Sequence, residues 1–248
     1  MNDNYSNFAR YYDILTSNID YPKRGAYFHE VISRYKTADN NILLDLACGT
    51  GSVSEVMAGL GYDVIGVDSS PEMLGIAMEK KYESGLPIQY LCQDMRKLDM
   101  YGTVGVTVCA LDGLNHLPTV SDIQKVFNRV SLFTESGGVF IFDMNTEYKH
   151  KHVLSDNIFV YETDNVYCVW ENSIDEKYTV SINLEFFERD GEAYYRTSES
   201  FCEYVYGCGE IREALKTAGF DDIFCFSEDS FDGLNENDER VIWVALKK

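Results

Sequence analysis

Leu43-Leu44-Asp45-Leu46-Ala47-Cys48-Gly49-Thr50-Gly51 decides the fold of this chain. The apolar run reads as a buried strand, Gly49 and Gly51 turn the backbone without Cβ clashes, and the residues after Gly51 read as a helix. Asp68 closes the next apolar strand. Strand, glycine turn, helix, strand and terminal acid form the unit with which an open α/β sheet holds a nucleoside-containing ligand. Backbone approaches the ligand at the glycines, and the carboxylate takes the ribose hydroxyls. A dinucleotide fingerprint needs G-x-G-x-x-G, and here Ser54 stands at the third glycine. Asp45, four residues before Gly49, would repel a pyrophosphate but suits a cationic ammonium.

Three further stretches follow at ordered spacing: Gly66-Val67-Asp68-Ser69-Ser70, Cys92-Gln93-Asp94-Met95, and the end of a fourth strand from Val106 to Leu117. Together with Asp45-Leu-Ala-Cys-Gly49-Thr-Gly51 they resemble, over roughly residues 40–145, the class I S-adenosylmethionine-dependent methyltransferases, among them relatives of glycine N-methyltransferase and the amino-sugar N,N-dimethyltransferases. The resemblance implies a doubly wound, mostly parallel, seven-stranded Rossmann-like α/β sheet whose last strand is antiparallel. It also implies a methyl transfer from S-adenosylmethionine to a small-molecule acceptor, an amine or a hydroxyl. A non-catalytic S-adenosylmethionine-binding module and an RNA or protein methyltransferase remain as other readings.

Along the chain, residues 5–36 read as two helices broken at Tyr21-Pro22, with Pro22 at a first helical position. Strands are expected at 42–47, 62–67, 88–92, 104–110 and 139–143, and helices at 52–60, from Ser70-Pro71 onward, and from Ser121-Asp122 to about Phe133. From 146 to 206 no helix signal is found. Alternation over Thr179–Phe186, an Asp190-Gly191 hairpin turn and the runs Ile158–Glu162, Tyr167–Asn172 and Ala193–Val205 predict an antiparallel β insertion after strand five. A helix over 208–218 and strands at 221–226 and 241–246 close the chain, and the acidic stretch 228–239 reads as a solvated hairpin loop. The expected organisation is a helical cap over 1–37, a cofactor domain over 38–145 and 207–248, and the insertion over 146–206 as a lid for the acceptor.

A net charge of −20 disfavours nucleic acid, whose binding relies on cationic contacts, although acidity that serves only solubility is an equal reading. No Asn/Asp-Pro-Pro-Tyr motif stands near strand four, where the chain reads Leu111-Asp112-Gly113-Leu114. No run approaches the ~20 apolar residues of a membrane span. The N-terminus lacks the features of a signal peptide, and an odd number of scattered cysteines without C-x-x-C argues for reduced thiols and a cytoplasmic location. A homodimer stays open.

The resemblance implies cofactor contacts from Arg10, Tyr12, Asp45, Ala47, Gly49, Thr50, Gly51, Asp68, Ser69, Met73, Asp94, Met95, Ala110 and Leu111. Asp68 would take the ribose hydroxyls and Arg10 the cofactor carboxylate. Asp94 would accept from the adenine amine beside Met95, and Met73 would either pack on adenine or join the core. His116, after strand four, is the candidate base for an acceptor that must lose a proton, the alternative being a loop hydrogen bond. Tyr12, in an N-terminal aromatic cluster with Tyr5, Phe8, Tyr11 and Tyr21, is the second candidate catalytic residue. Phe159, Tyr161, Trp170, Phe186, Tyr195 and Tyr204 of the insertion would line the acceptor pocket or form sheet core. His29 is placed on a helix face and His150 and His152 on the surface; no metal site is read.

Overall fold

The computed structural model describes residues 6–248, so Tyr5 lies outside the described residues. In chain order the elements are α1 (Ser6–Leu15), α2 (Tyr21–Tyr35), β1 (Ile42–Leu46), α3 (Ser52–Gly59), β2 (Asp63–Asp68), α4 (Pro71–Ser84), β3 (Gln89–Cys92), β4 (Val104–Cys109), α5 (Val120–Phe133), β5 (Thr134–Asn145), α6 (Glu147–Lys149), β6 (Ile158–Glu162), β7 (Val166–Ile174), β8 (Val180–Asp190), β9 (Ala193–Glu203), α7 (Cys208–Thr217), β10 (Asp222–Ser227) and β11 (Arg240–Leu246). Seven strands form one sheet in the order β10-β11-β5-β4-β1-β2-β3, and β6-β7-β8-β9 form a second. In the first sheet β1 to β5 run parallel, and β11 lies antiparallel between β5 and β10.

A parallel sheet covered on both faces needs strands that are apolar throughout, which Ile42–Leu46 supplies. Alternation sends Leu44 and Leu46 into the core beneath α5 and α7, and Leu43 into the core beneath α2 and α3. Asp45 therefore points to the α3 side, where Ser54 meets it. Gly66, the partner of Asp45 across β1–β2, leaves room for the ring of Tyr90.

Local chemistry sets the helix starts. Ser70 caps α4 by accepting the Met73 amide, with Pro71 at the first position. Asp20 caps α2 through the Lys23 amide, so Tyr21 rather than Pro22 takes the first helical position. Thr119 caps α5 and starts it at Val120, one residue before the expected Ser121. The expectation of no helix within 146–206 is corrected by α6 and the π-helical turn His150–Leu154 that continues it. Thr146 caps this short segment, which is too brief to show a period in sequence.

The second sheet is a meander of adjacent antiparallel strands. Val180, Ile182, Leu184 and Phe186 fill its inner face and pack with Phe8, Ala9, Tyr11 and Leu15 of α1 and Met73 of α4 in a third core. Tyr11 stacks on Phe186 with ring centroids 4.5 Å apart. α2 instead packs Tyr27, Phe28, Val31 and Ile32 on the main sheet. Among the described residues no helix is long and apolar enough to cross a membrane.

A Cβ at Gly66 would come within 2.6 Å of the Tyr90 ring and 3.0 Å of Cys48 Sγ, whereas one at Gly75, inside α4, would meet nothing within 4 Å. Gly66→Ala is therefore expected to destabilise the protein by about 1–3 kcal/mol. Gly75→Ala should stabilise it by about 0.5–1 kcal/mol through helix propensity. Urea unfolding of the two variants reads both signs.

Candidate functional site

The turn after β1 places three left-handed residues within five: Ala47 at φ 58°, Gly49 at φ 54° and Gly51 at φ 78°. Two glycines adopt this conformation freely, while Ala47 is held there as the Cys48 amide donates to the Val67 carbonyl at 3.0 Å. The Gly49 amide donates to Asp68 Oδ2 at 2.9 Å and the Ser70 amide to Asp68 Oδ1 at 2.9 Å. One carboxylate thus ties the loop after β1 to the loop after β2. Burial raises the Asp68 carboxyl above its ordinary value despite these amides.

Asp68 borders a cavity of about 780 Å³ with Ala47, Val67, Ser69, Asp94, Met95, His116 and Leu117. Acid, apolar face and small residues suit a nucleoside. Asp94 is engaged by Arg96, whose Nε lies 2.9 Å from Oδ1 and whose NH2 lies 2.6 Å from Oδ2. That pairing holds the Asp94 carboxyl below the usual range.

A second, small cavity of about 20 Å³ lies on the other side of Ala47, among Tyr12, Asp45, Thr50, Ala110 and Leu111. Asp45 is fully enclosed and accepts a hydrogen bond from Ser54 Oγ at 2.5 Å, with the Ser54 backbone amide also directed at it. Burial pushes its carboxyl up to about 7. Thr50 Oγ1 donates to Asp13 at 2.7 Å and accepts from Lys80 Nζ at 3.1 Å, and Lys80 pairs with Asp13 at 2.7 Å. This clasp holds α1 across the glycine turn.

A third cavity, of about 370 Å³, lies under the insertion. Its walls include Phe8, Tyr12 and Leu15 of α1, Lys149, Phe159, Tyr161, Trp170, Phe201 and Glu203 of the insertion, and Leu111, Asp112, His116, Asn145 and Arg240 of the main domain. His116 borders both this cavity and the 780 Å³ one. Its ring meets Phe201 edge-on at 5.4 Å, and its buried Nδ1 has no hydrogen-bond partner. Burial raises the Tyr12 phenol well above its ordinary value.

Several expected residues stand elsewhere. Arg10 lies on the exposed side of α1, 66% open at its side chain, and pairs with Glu188 of β8 at 3.2 Å, away from the glycine turn. Met73 sits in the third core rather than on a cavity wall. Phe186 is core, Tyr195 is exposed, and Tyr204 offers its carbonyl to Asn115 Nδ2 at 2.8 Å. His150, placed on the surface by its Lys-rich neighbours, is fully buried, because the π-helical turn swings it inward to the Tyr178 carbonyl at 2.8 Å. The acidic stretch 228–239 is not merely a solvated loop, since Glu228 pairs with Arg24 and with Arg240.

Sequence reasoning passed over the polar floor. Asp143, fully buried, receives Arg24 NH1 at 3.0 Å and Arg240 NH1 at 3.2 Å, and accepts the Asp112 amide at 2.7 Å. Arg240 NH1 also meets Asp112 Oδ1 at 2.7 Å. Leu111 and Asp112 hold φ values of 57° and 54°, consecutive left-handed residues that signal stored strain at a functional site. Burial alone would raise the Asp112 carboxyl, but Arg240 and then Lys149 outweigh it and hold it low. The available signals were the Asp112-Gly113 turn dipeptide and a lone arginine opening the apolar strand Val241–Leu246.

Residues 43–138 match the family described as a methyltransferase domain. YqeM of Bacillus subtilis, itself assigned only provisionally as a methyltransferase, is 32% identical over 218 residues, covering 87% of this chain and 86% of that protein. A crystal structure of an S-adenosylmethionine-dependent methyltransferase from Clostridium acetobutylicum superposes with a TM-score of 0.88 at 32% identity, covering 98% of this chain and 99% of that one. The sugar N-methyltransferase KedS8 from a Streptoalloteichus species shares the fold, with a TM-score of 0.79 at 17% identity over 96% of this chain and 92% of that one.

The buried Asp45 carboxyl yields a pH signature. With a folded value of about 7 against the lower unfolded one, its contribution is full below about pH 4 and is lost as pH rises through 7. Stability should fall by up to about 1.4 kcal/mol per pH unit across that window on account of this group. Asp45→Asn should remove that slope and leave the variant more stable than the parent above pH 7, as read by denaturant titrations at several pH values.

Proposed function

This chain belongs to the S-adenosylmethionine-dependent methyltransferases, and from that membership we propose that it methylates an amine nitrogen of a small molecule held beneath the insertion. His116 carries the reading, because it forms the shared wall of two cavities of nucleoside size and small-metabolite size. A sensing module would need only the first of these.

The residues around the larger cavity fit the cofactor by their chemistry. Asp68 keeps a carboxylate at the rim, positioned by two amides, to receive the ribose diol. Met95 and Leu117 offer apolar surface to adenine, with Asp94 and Ser69 at the polar edge. Asp45, met only by the neutral hydroxyl and amide of Ser54, faces the small cavity, where a methionine ammonium would supply the missing positive charge. Gly49, Gly51, Thr50, Ala110 and Leu111 frame this end, and Tyr12 covers it. When bound, S-adenosylmethionine supplies a sulfonium methyl, which the acceptor's lone pair takes while the carbon–sulfur pair stays on sulfur.

The protein's part is alignment. The two cavities meet at His116, so an acceptor under the insertion approaches the cofactor from the far side of that ring, and ordering both partners supplies several kcal/mol. His116 Nδ1, buried and unpartnered, can take a proton shed by the acceptor. A nitrogen acceptor accords with the N-methylation for which KedS8 is named. The charge of −20 argues against a nucleic-acid substrate.

Incubation with methyl-labelled S-adenosylmethionine and a metabolite extract should place label on a small amine; label only on RNA or protein would overturn the reading. Asp68→Asn should weaken binding of S-adenosylhomocysteine by about 10- to 100-fold in calorimetry, since charge-assisted hydrogen bonds to the ribose are lost. His116→Ala should lower kcat on the identified acceptor while leaving S-adenosylhomocysteine affinity intact; unchanged turnover would remove His116 from the proton step.

A further inference from the structure

The cavity under the insertion is rich in hydrogen-bond acceptors at one end. Glu203 closes β9 and is 4% exposed. Its Oε2 accepts from Asn145 Nδ2 at 2.8 Å. One ligating atom each from Asp112, His116 and Glu203 lie within 4.8 Å of one another, close enough for one small cation to touch all three.

Two imidazoles around this cluster each keep one ring nitrogen without a hydrogen bond. His116 Nδ1 is buried without a hydrogen bond. His150 is fully buried; its Nδ1 must carry the proton that the Tyr178 carbonyl accepts, and its orphan Nε2 faces Glu203 Oε2 at 3.8 Å. Such groups are costly to bury unless something completes them. The nearby donors are already committed. Lys149 Nζ donates to Asn145 Oδ1 at 2.9 Å, and Arg240 is spread over Asp112, Asp143 and Glu228. The same cavity is also lined by Trp170, which lies edge-on to Phe159 at 5.9 Å and stacked beside Tyr161 at 6.2 Å, so it offers π surface as well as carboxylates.

A hydroxyl brings one donor hydrogen and no charge to this cluster. An alkylammonium brings two or three hydrogens and a positive charge, which matches converging carboxylates and an aromatic face. We infer that Glu203, supplied by the insertion, is the residue that selects the acceptor: with Asp112 it holds the hydrogens of an alkylammonium head in the cavity that Tyr161 and Trp170 also line, and His116 takes one of its protons before the freed lone pair attacks the methyl carbon. The inference rests on the proposed use of this cavity for a small-molecule acceptor and adds the determinant that separates amines from alcohols.

The test compares benzylamine, cationic at pH 7, with benzyl alcohol, its neutral isostere, by calorimetry on the full chain saturated with S-adenosylhomocysteine. Wild-type protein should bind benzylamine at least about tenfold more tightly than the alcohol. Glu203→Gln keeps an acceptor for Asn145 and should abolish that preference without changing S-adenosylhomocysteine affinity. Trp170→Leu should weaken benzylamine several-fold while sparing benzyl alcohol. Equal binding of the two probes, no binding of benzylamine, or an undiminished preference in Glu203→Gln would overturn the assignment. Manganese ion displacing benzylamine in a Glu203-dependent way would also overturn it, by making the cluster a metal site. S-adenosylhomocysteine is titrated first: its failure to bind the wild type would count against the cavity assignment as a whole, whereas normal binding with no amine preference counts against Glu203 alone.

Discussion

The carboxylate of Asp68 takes two backbone amides from two loops, and the geometry of the site follows from that bond pair. The loop after β1 contains left-handed residues at 47, 49 and 51 and would otherwise have many alternatives. Anchored to the end of β2, it presents Ala47 and the glycines at a fixed height above the strand ends. The same carboxylate stands at the rim of the 780 Å³ cavity, so holding the loops and lining that cavity are joint properties of one side chain. Open α/β sheets bind at this edge because adjacent loops diverge there; here an acid keeps them from diverging too far.

Asp143 plays the corresponding part behind the 370 Å³ cavity, through Asp112 and Arg240 of its wall. It is buried among Arg24, Arg240 and the Asp112 amide, and it connects α2, β11 and the loop after β4. Buried ion pairs are weak arguments for stability, since desolvation offsets much of the Coulomb attraction. Their effect here is on conformation. Leu111 and Asp112 are left-handed, and in that conformation the Asp112 amide donates to Asp143 and its carboxylate pairs with Arg240.

The elements of the first half were legible because each rests on neighbours in sequence. Asp45, Gly49, Gly51 and Asp68 belong to local strand–turn–helix units, and Ser70-Pro71 marks its own helix start. The insertion strands were legible from alternation. Side-chain destinations on helices were less so: Arg10 and Tyr12 are two residues apart on α1, yet one meets Glu188 and the other a cavity, because the insertion sheet decides which face is covered. Asp112, Asn145, Glu203 and Arg240 come from distant segments and carry no shared spacing, so only the folded chain could bring them together. His150 was misjudged for a related reason: its Lys neighbours read as surface, and a π-helical turn is invisible to a 3.6-residue period.

The third core is assembled from residues 8–15, Met73 and residues 154–186, stretches widely separated along the chain. Closing such long loops is an entropic cost met only once the main sheet has gathered their ends. The contacts of this cluster are accordingly long-range in sequence, of the kind that contributes to slow folding. Small cooperative units of that kind open with less free energy than global unfolding requires. The α1 and insertion residues that roof the 370 Å³ cavity thus belong to a packing unit separate from the seven-stranded sheet beneath.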